Sequence, residues 1–278
     1  MKIAITAETT IDLPKEILEE YEIRTTPFGI DFGGSLKDDR FGISSEIFEY
    51  VESSKQLPKT SAIPPEQYRE FFEEIKKDYD AIIHFSISSL MSSAYNNAKL
   101  ISSEMENVYV VDSMNLSTGI ALLAMYASTL NKSGKSYEDI ISAVEERKHK
   151  IRSSFVVEKL NYLYKGGRCS ALTLLGANVL KIKPQIVVEN GRMSVGKKYV
   201  GAMNKIINKY CDDLMSQYPN VDLESVFITH SSPMPDIQKS LKSKLQDRGF
   251  VNVYDTLAGG TISSHCGPNC IGILFFEK

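Results

Sequence analysis

The residues with the clearest chemistry lie between Gly259 and Cys270, Gly-Gly-Thr-Ile-Ser-Ser-His-Cys-Gly-Pro-Asn-Cys, where a histidine sits among glycines and small hydroxyl residues just ahead of an apolar strand. Glycine lets the backbone approach a ligand, hydroxyls and exposed N–H groups donate hydrogen bonds, and His265 can donate from a ring nitrogen or carry a proton. A loop of this make-up suits an anion, although a glycine-rich turn before a strand often serves only as a turn. Two more stretches are rich in hydroxyls: Lys59-Thr-Ser-Ala-Ile-Pro-Pro65 and Ser86-Ile-Ser-Ser-Leu-Met-Ser-Ser-Ala-Tyr95. Each precedes a helical pattern, and the unpaired N–H groups and dipole of a helix start favour a carboxylate or phosphate. A single serine there is accounted for as a helix cap. The hydroxyls outnumber what two helix starts require.

The elements that must position these groups alternate in the first half of the chain. Strand-like Lys2 to Thr6 leads through Asp12 into a short helix, Pro14 to Tyr21. Glu66 to Lys77 places Tyr68, Phe71, Phe72 and Ile75 at helical spacing. Asp80 to Ser86 reads as a buried strand and is followed by a helix from Tyr95 to Ser102. Val108 to Asp112 then leads through Ser113, Asn115 and Ser117 into the apolar helix Gly119 to Leu130. Strand, turn and helix in series predict an α/β fold, a parallel-sheet N-terminal domain with helices on both faces over residues 1–150. Hydroxyl-rich turns then collect at the carboxyl edge of that sheet.

The second half has another texture. Phe155 to Val157 and Ile186 to Glu189 read as strands, and Asn190-Gly191 turns the latter back through Arg192 to Lys198 as a hairpin. Helix patterns at Ala202 to Gln217 and Pro235 to Asp247 alternate with strands at Ser225 to Thr229, Phe250 to Tyr254 and Ile271 to Phe276. This predicts a second, two-layer α/β domain over 151–278, with the boundary after the charged run Glu145 to Lys150, itself a solvated helix face.

Composition narrows the partners. The 278 residues are 42% hydrophobic with a net charge of −3, and without clustered Lys and Arg no nucleic acid partner is expected. The longest apolar stretches fall well short of the roughly 20 residues that cross a bilayer. Glu8 interrupts any secretory pattern at the amino terminus, so a cytoplasmic location is expected. Cysteines at 169, 211, 266 and 270 are too few for a disulfide framework, and Cys266-x3-Cys270 beside His265 lacks the spacing of structural zinc; neither metal nor cofactor is expected.

Taken together, Thr60-Ser61-x-x-Pro64, Ser88-Ser-Leu-Met-Ser-Ser-Ala-Tyr95, Val111-Asp-Ser113, Tyr164-Lys-Gly-Gly-Arg168, Lys183-Pro184 and His265-Cys-Gly-Pro268 resemble, in order and across essentially the whole chain, the signatures of the DegV family of bacterial fatty-acid-binding proteins. The resemblance implies a DegV-like fold with the ligand at the junction of the two domains. It implies a long-chain fatty acid with its tail inside the protein and its carboxylate held by Thr60, Ser92 and His265, with Ser61 and Ser93 beside them. It also implies a separate fatty acid kinase catalytic subunit, which uses ATP to phosphorylate the presented carboxylate for phospholipid synthesis. In that scheme the protein is no enzyme itself. It has no membrane span and at most transient contact with a membrane surface. Arg168, after Gly166 and Gly167, corresponds to the family arginine of the kinase step, contacting partner or phosphate. The sequence departs from the pattern at Glu8-Thr9 for Asp-Ser, at Ser93-Ala94 for Gly-Thr, at Cys266, Asn269 and Cys270 for Thr, Gly and Ala, and at Val200 for an arginine. Candidates for the tail lining are Leu172, Leu174, Leu175, Val179, Leu180 and Ile182, for each of which core packing is the commoner account.

Other classes remain open on the residues alone. Ser92 with His265 as base, oriented by Asp112 or Glu8, would make an acyl hydrolase or transferase, although no Gly-x-Ser-x-Gly elbow or nucleotide-binding Gly-x4-Gly-Lys loop is present. A lipid-sensing module without kinase traffic is the third reading.

Overall fold

The structure is a computed structural model that describes residues 1–170 and 182–278. Its first sheet is formed by β1 (Ile3–Glu8), β2 (Ile23–Thr26), β6 (Ala81–Ser86) and β7 (Val108–Asp112), in the order β2-β1-β6-β7 and parallel throughout. Every residue of β1 and β6 is buried, as expected of central parallel strands covered on both faces, and most are apolar. The short α1 (Lys15–Glu20) returns the chain from β1 to β2. Helix α3 (Pro65–Lys76) buries Tyr68, Phe72 and Ile75 and packs with α4 (Ala94–Ser102) against β6 and β7. Proline at the start of α3 fits there because the first helical N–H has no partner within the helix.

Helix α5 (Thr118–Lys132) explains the longest apolar run. Its first eight residues are all buried, because it packs against β1 and β6 on one side and against β8 (Ile151–Val156) and β13 (Ile271–Glu277) on the other. Helix α6 (Tyr137–Arg147), capped by the Ser136 hydroxyl accepting from Asp139 N–H, covers its outer side.

From Ile151 onward the chain builds a six-stranded sheet. It adds β9 (Lys183–Glu189), β10 (Arg192–Tyr199), β11 (Val221–His230) and β12 (Asn252–Leu257) in the order β10-β9-β8-β13-β11-β12. All pairings are antiparallel except β11 with β12. The Asn190-Gly191 turn has the positive φ angles that the sequence demands, +50° and +76°. Helices α8 (Met203–Gln217) and α9 (Pro235–Asp247) cover one face with a core around Tyr210, Leu214, Leu241, Ile273 and Phe275. The opposite face, through Phe155, Phe227 and Leu274, joins the core of the first sheet. One continuous apolar interior thus lies between the two sheets, with α5 along it.

Two features depart from the sequence reading. A small antiparallel sheet of β3 (Gly29–Asp31), β4 (Leu36–Asp38) and β5 (Lys59–Ser61), backed by α2 (Ser44–Ser54), has strands too short to show a period. The stretch expected to be a loop around His265 is instead helix α10 (Gly260–Cys266). Its start is satisfied from a distance: the carboxylate of Asp39 accepts from Gly260 N–H at 2.6 Å and Thr261 N–H at 2.9 Å, and Asp12 accepts from Gly259 N–H at 2.8 Å. A local reading of the sequence has no access to those partners.

Candidate functional site

Three separate stretches of chain meet at one cavity. Pairing of β3 with β5 sets Thr60 opposite Ile30, so that Thr60 faces α10 while Ser61, its neighbour on the strand, alternates to the exposed side. There the hydroxyl of Thr60 and Nε2 of His265 form a hydrogen bond of 2.9 Å. The second stretch, Ile87 to Ser93, leaves the carboxyl end of β6 and brings Ser92 and Ser93 to the same cavity. The third follows α7 (Leu160–Gly166), where the exposed Arg168 donates to the Gly166 carbonyl at 2.7 Å and lines the opening.

The cavity measures about 150 Å³. Thr60, Ser92, Ser93, Thr261 and His265 supply its polar lining, and Phe28, Ile87, Met91, Leu116, Leu163, Met193 and Ile262 most of the remainder. Arg168 is the one charged residue among the described lining residues. Burial, reinforced by the Arg168 guanidinium, pushes His265 down to about 4, so the imidazole is neutral at pH 7 and offers a single N–H. Its Nδ1 is buried without a hydrogen-bond partner and faces Gly166, where a Cβ would stand 2.3 Å away. Gly166 is therefore the glycine that the imidazole requires, and the paired glycines before Arg168 were the only sequence signal for it. Gly167, at φ +70°, ends α7 and has open space where its side chain would be.

Behind the serine stretch lies a buried carboxylate. Glu8, at the end of β1, accepts from Tyr68 Oη at 2.6 Å, Ser86 Oγ at 2.5 Å, Thr10 Oγ1 at 3.1 Å and the backbone N–H of Ile87 at 2.9 Å. It anchors the point where the chain leaves β6 toward Ser92. Ser88 Oγ donates to the Gly191 carbonyl at 2.7 Å, tying the same stretch to the β9–β10 turn. Neither Ser93 nor Ser117 caps the helix it precedes through its side chain, so the capping account does not absorb Ser93.

Of the residues singled out from the sequence, Thr60, Ser92, Ser93, Arg168 and His265 line this one cavity, and Ser61 and Gly167 lie outside its lining. Leu172, Leu174, Leu175, Val179 and Leu180 fall outside the described residues, and Ile182 is half-buried just before β9. The catalytic alternative lacks its geometry. Ser92 Oγ accepts from Ala94 N–H and makes no hydrogen bond to His265, Glu8 is spent on its four donors, and Asp112 accepts from Ser89 and Met114 N–H. Among the described residues no group of three or more His, Cys, Asp or Glu side chains is placed to hold a metal, and no helix is long and apolar enough to cross a membrane.

Comparison with known proteins decides the family. Residues 2–278 match the model of a family described as uncharacterised proteins, DegV family. The chain belongs to the DegV family. A DegV domain-containing protein of Caldanaerobacter subterraneus is 28% identical over 281 residues, covering 100% of this chain and 99% of its own. Among solved DegV structures, a protein of Thermus thermophilus described by its fatty acid binding superposes with a TM-score of 0.91 at 22% identity, covering 100% of both chains, which shows the fold. DegV from Bacillus subtilis, described as a fatty acid binding protein, is 27% identical with a TM-score of 0.87 over 100% of both chains. A Thermotoga maritima protein whose structure reveals a fatty acid binding function is 26% identical, with a TM-score of 0.87 over 100% of both chains. The mixed α/β architecture, a flanked four-stranded parallel sheet beside a second sheet, is thus the DegV architecture.

Proposed function

We propose that this protein binds a long-chain fatty acid, with its carboxylate at Thr60, Ser92 and His265 and its chain directed into the interior between the two sheets. The observation that carries the reading is the polarity of the cavity. Thr60, Ser92, Ser93 and Thr261 share its lining with the His265 imidazole, and apart from Arg168 and Cys266 the rest of the wall, Leu116 and Ile262 included, is apolar. Each methylene moved from water into such surroundings contributes about 0.8 kcal/mol, so the tail supplies the affinity. The carboxylate is the costly end, and hydroxyl donors, that of Thr60 oriented by the His265 imidazole, offset the loss of its hydration. The fatty acid binding of the Bacillus subtilis and Thermotoga maritima relatives supports the same reading.

The protein acts as a carrier, not as a catalyst, and presents the carboxylate to a separate ATP-dependent fatty acid kinase in the cytoplasm, with no more than transient contact with a membrane surface. Arg168 supports this step: it is exposed, lies at the opening, and its planar guanidinium suits a phosphoryl group or a partner's carboxylate. Organic extraction of the purified protein followed by mass spectrometry tests binding. A stoichiometric free fatty acid is the expected result; protein that is empty and takes up no added fatty acid refutes the reading. Acyl phosphate formation with kinase and ATP tests the presentation step. Arg168→Ala is expected to retain lipid and lose acyl phosphate formation, and unchanged phosphorylation at limiting protein removes that role.

A further inference from the structure

The cavity at His265 has a neighbour deeper in the protein. It shares Leu116, Ile262 and Cys266 with a smaller cavity of about 30 Å³ between the start of α5 and the second sheet, lined also by Phe155 and Leu274. A third cavity, of about 390 Å³, opens at the ends of β8 and β9 among polar groups that include Asn115, Lys148, Arg152 and Gln185. Among the described residues, Ser153 alone lines both the small inner cavity and this large polar one. It shares a face of β8 with Phe155, as residues two apart on a strand do. Opposite it stands Gly119 of α5, where a Cβ would lie 3.0 Å from Ser153 Oγ and 2.1 Å from Asn115 Oδ1. Ser153, set against a glycine, thus stands where a nearly wholly apolar space meets one of mixed polarity.

We propose that Ser153 marks the end of the acyl site and sets the chain length that the protein prefers. The proposal rests on the fatty-acid reading above and adds where the chain stops. A methylene gains its transfer free energy only where it leaves water for apolar surroundings. Up to Ser153 each added carbon does so; past it the chain enters a space where amide, ammonium and guanidinium groups stand among apolar ones, and the gain per carbon falls. Ser153 Oγ is itself buried with no hydrogen-bond partner, so the hydroxyl contributes nothing that its removal would cost the fold. The residue is replaceable, and its volume is what counts.

The test is competition of saturated fatty acids, from dodecanoate to eicosanoate, against a fluorescent fatty acid on the full chain. Wild type is expected to show affinity rising about fourfold per added carbon and then levelling at one length. Ser153→Gly should move that length upward and raise the ratio of longest to shortest acid about tenfold. Ser153→Leu should move it downward, and thermal melting of Ser153→Ala at the wild-type temperature checks that the fold tolerates the site. Identical length profiles for wild type, Ser153→Gly and Ser153→Ala overturn the proposal even if Ser153→Leu does not fold. Failure of wild type to bind any acid in the series overturns the fatty-acid reading instead, so the two ideas fail separately.

Discussion

The hydroxyl of Thr60 and Nε2 of His265 lie 2.9 Å apart although 205 positions separate them in the chain. Thr60 is carried by the edge of the small three-stranded sheet and His265 by α10, and the two elements are locked together where Asp39 caps the start of α10. A pair held this firmly acts as one group toward an incoming carboxylate. Thr60→Val and His265→Ala should each weaken fatty-acid binding about tenfold to a hundredfold, the worth of one hydrogen bond to a charged group. The double variant should lose less than the sum of the two, because each single change already breaks the shared hydrogen bond. Fully additive losses by calorimetry would show that the two residues act on the ligand independently.

The pH dependence of stability has a definite sign at His265. Its folded value lies at about 4 against an ordinary value near 6.5, so between these limits the unfolded chain holds the proton more tightly. Stability from this group is complete above pH 6.5 and is lost as pH falls toward 4, by at most about 3 kcal/mol. Asp12 and Asp39 act with the opposite sign: burial raises both, so the folded state holds their protons more tightly than the unfolded chain as pH rises from the ordinary carboxylate range. The clean measurement is therefore a difference. Urea unfolding of wild type and His265→Asn, compared at pH 7 and pH 4.5, should show the gap in favour of wild type shrinking in acid, and a gap that does not change with pH refutes the assignment.

Much of this arrangement could be read from the sequence, for reasons that are local. Parallel strands covered on both faces are mostly apolar, which made β1 and β6 legible, and Asn190-Gly191 fixed its hairpin because few residues tolerate two successive positive φ angles. The hydroxyl-rich stretches that hold Thr60 and Ser92 stood out by residue type, and the resemblance to the DegV family singled out these two within them. What stayed hidden depends on distant partners. Helix α10 begins with glycines and is capped from Asp39, so nothing within its own window marks it as helical. The strands β3 to β5 have three residues each, too few for alternation to register. Gly166 entered the sequence reading only as one of two glycines before Arg168; its contact with the His265 ring gives it a role.

Glu8 supports the site from behind. With Tyr68, Thr10, Ser86 and the Ile87 N–H all donating to it, Glu8→Ala strands four buried donors and should cost about 3–5 kcal/mol in chemical denaturation. Glu8→Gln keeps one carbonyl acceptor and should cost clearly less. Because Ile87 N–H is where the chain turns toward Ser92, the glutamine variant is expected to bind fatty acid more weakly even where it remains folded. Wild-type affinity in folded Glu8→Gln would confine Glu8 to the core.

The two adjacent glycines at the end of α7 should separate function from backbone strain. At Gly166 a methyl group would stand 2.3 Å from Nδ1 of His265, a distance no real contact permits, so the ring must leave its place and with it the hydrogen bond to Thr60. At Gly167 nothing lies near a new methyl group, but the φ of +70° is unfavourable for any side chain and costs about 1 kcal/mol. Gly166→Ala is therefore expected to lose fatty-acid binding to the extent that His265→Ala does, with the histidine still present. Gly167→Ala should melt a few degrees lower and bind normally. Equal binding by both variants would mean that the imidazole has room to move without cost, and would take His265 out of the head-group site.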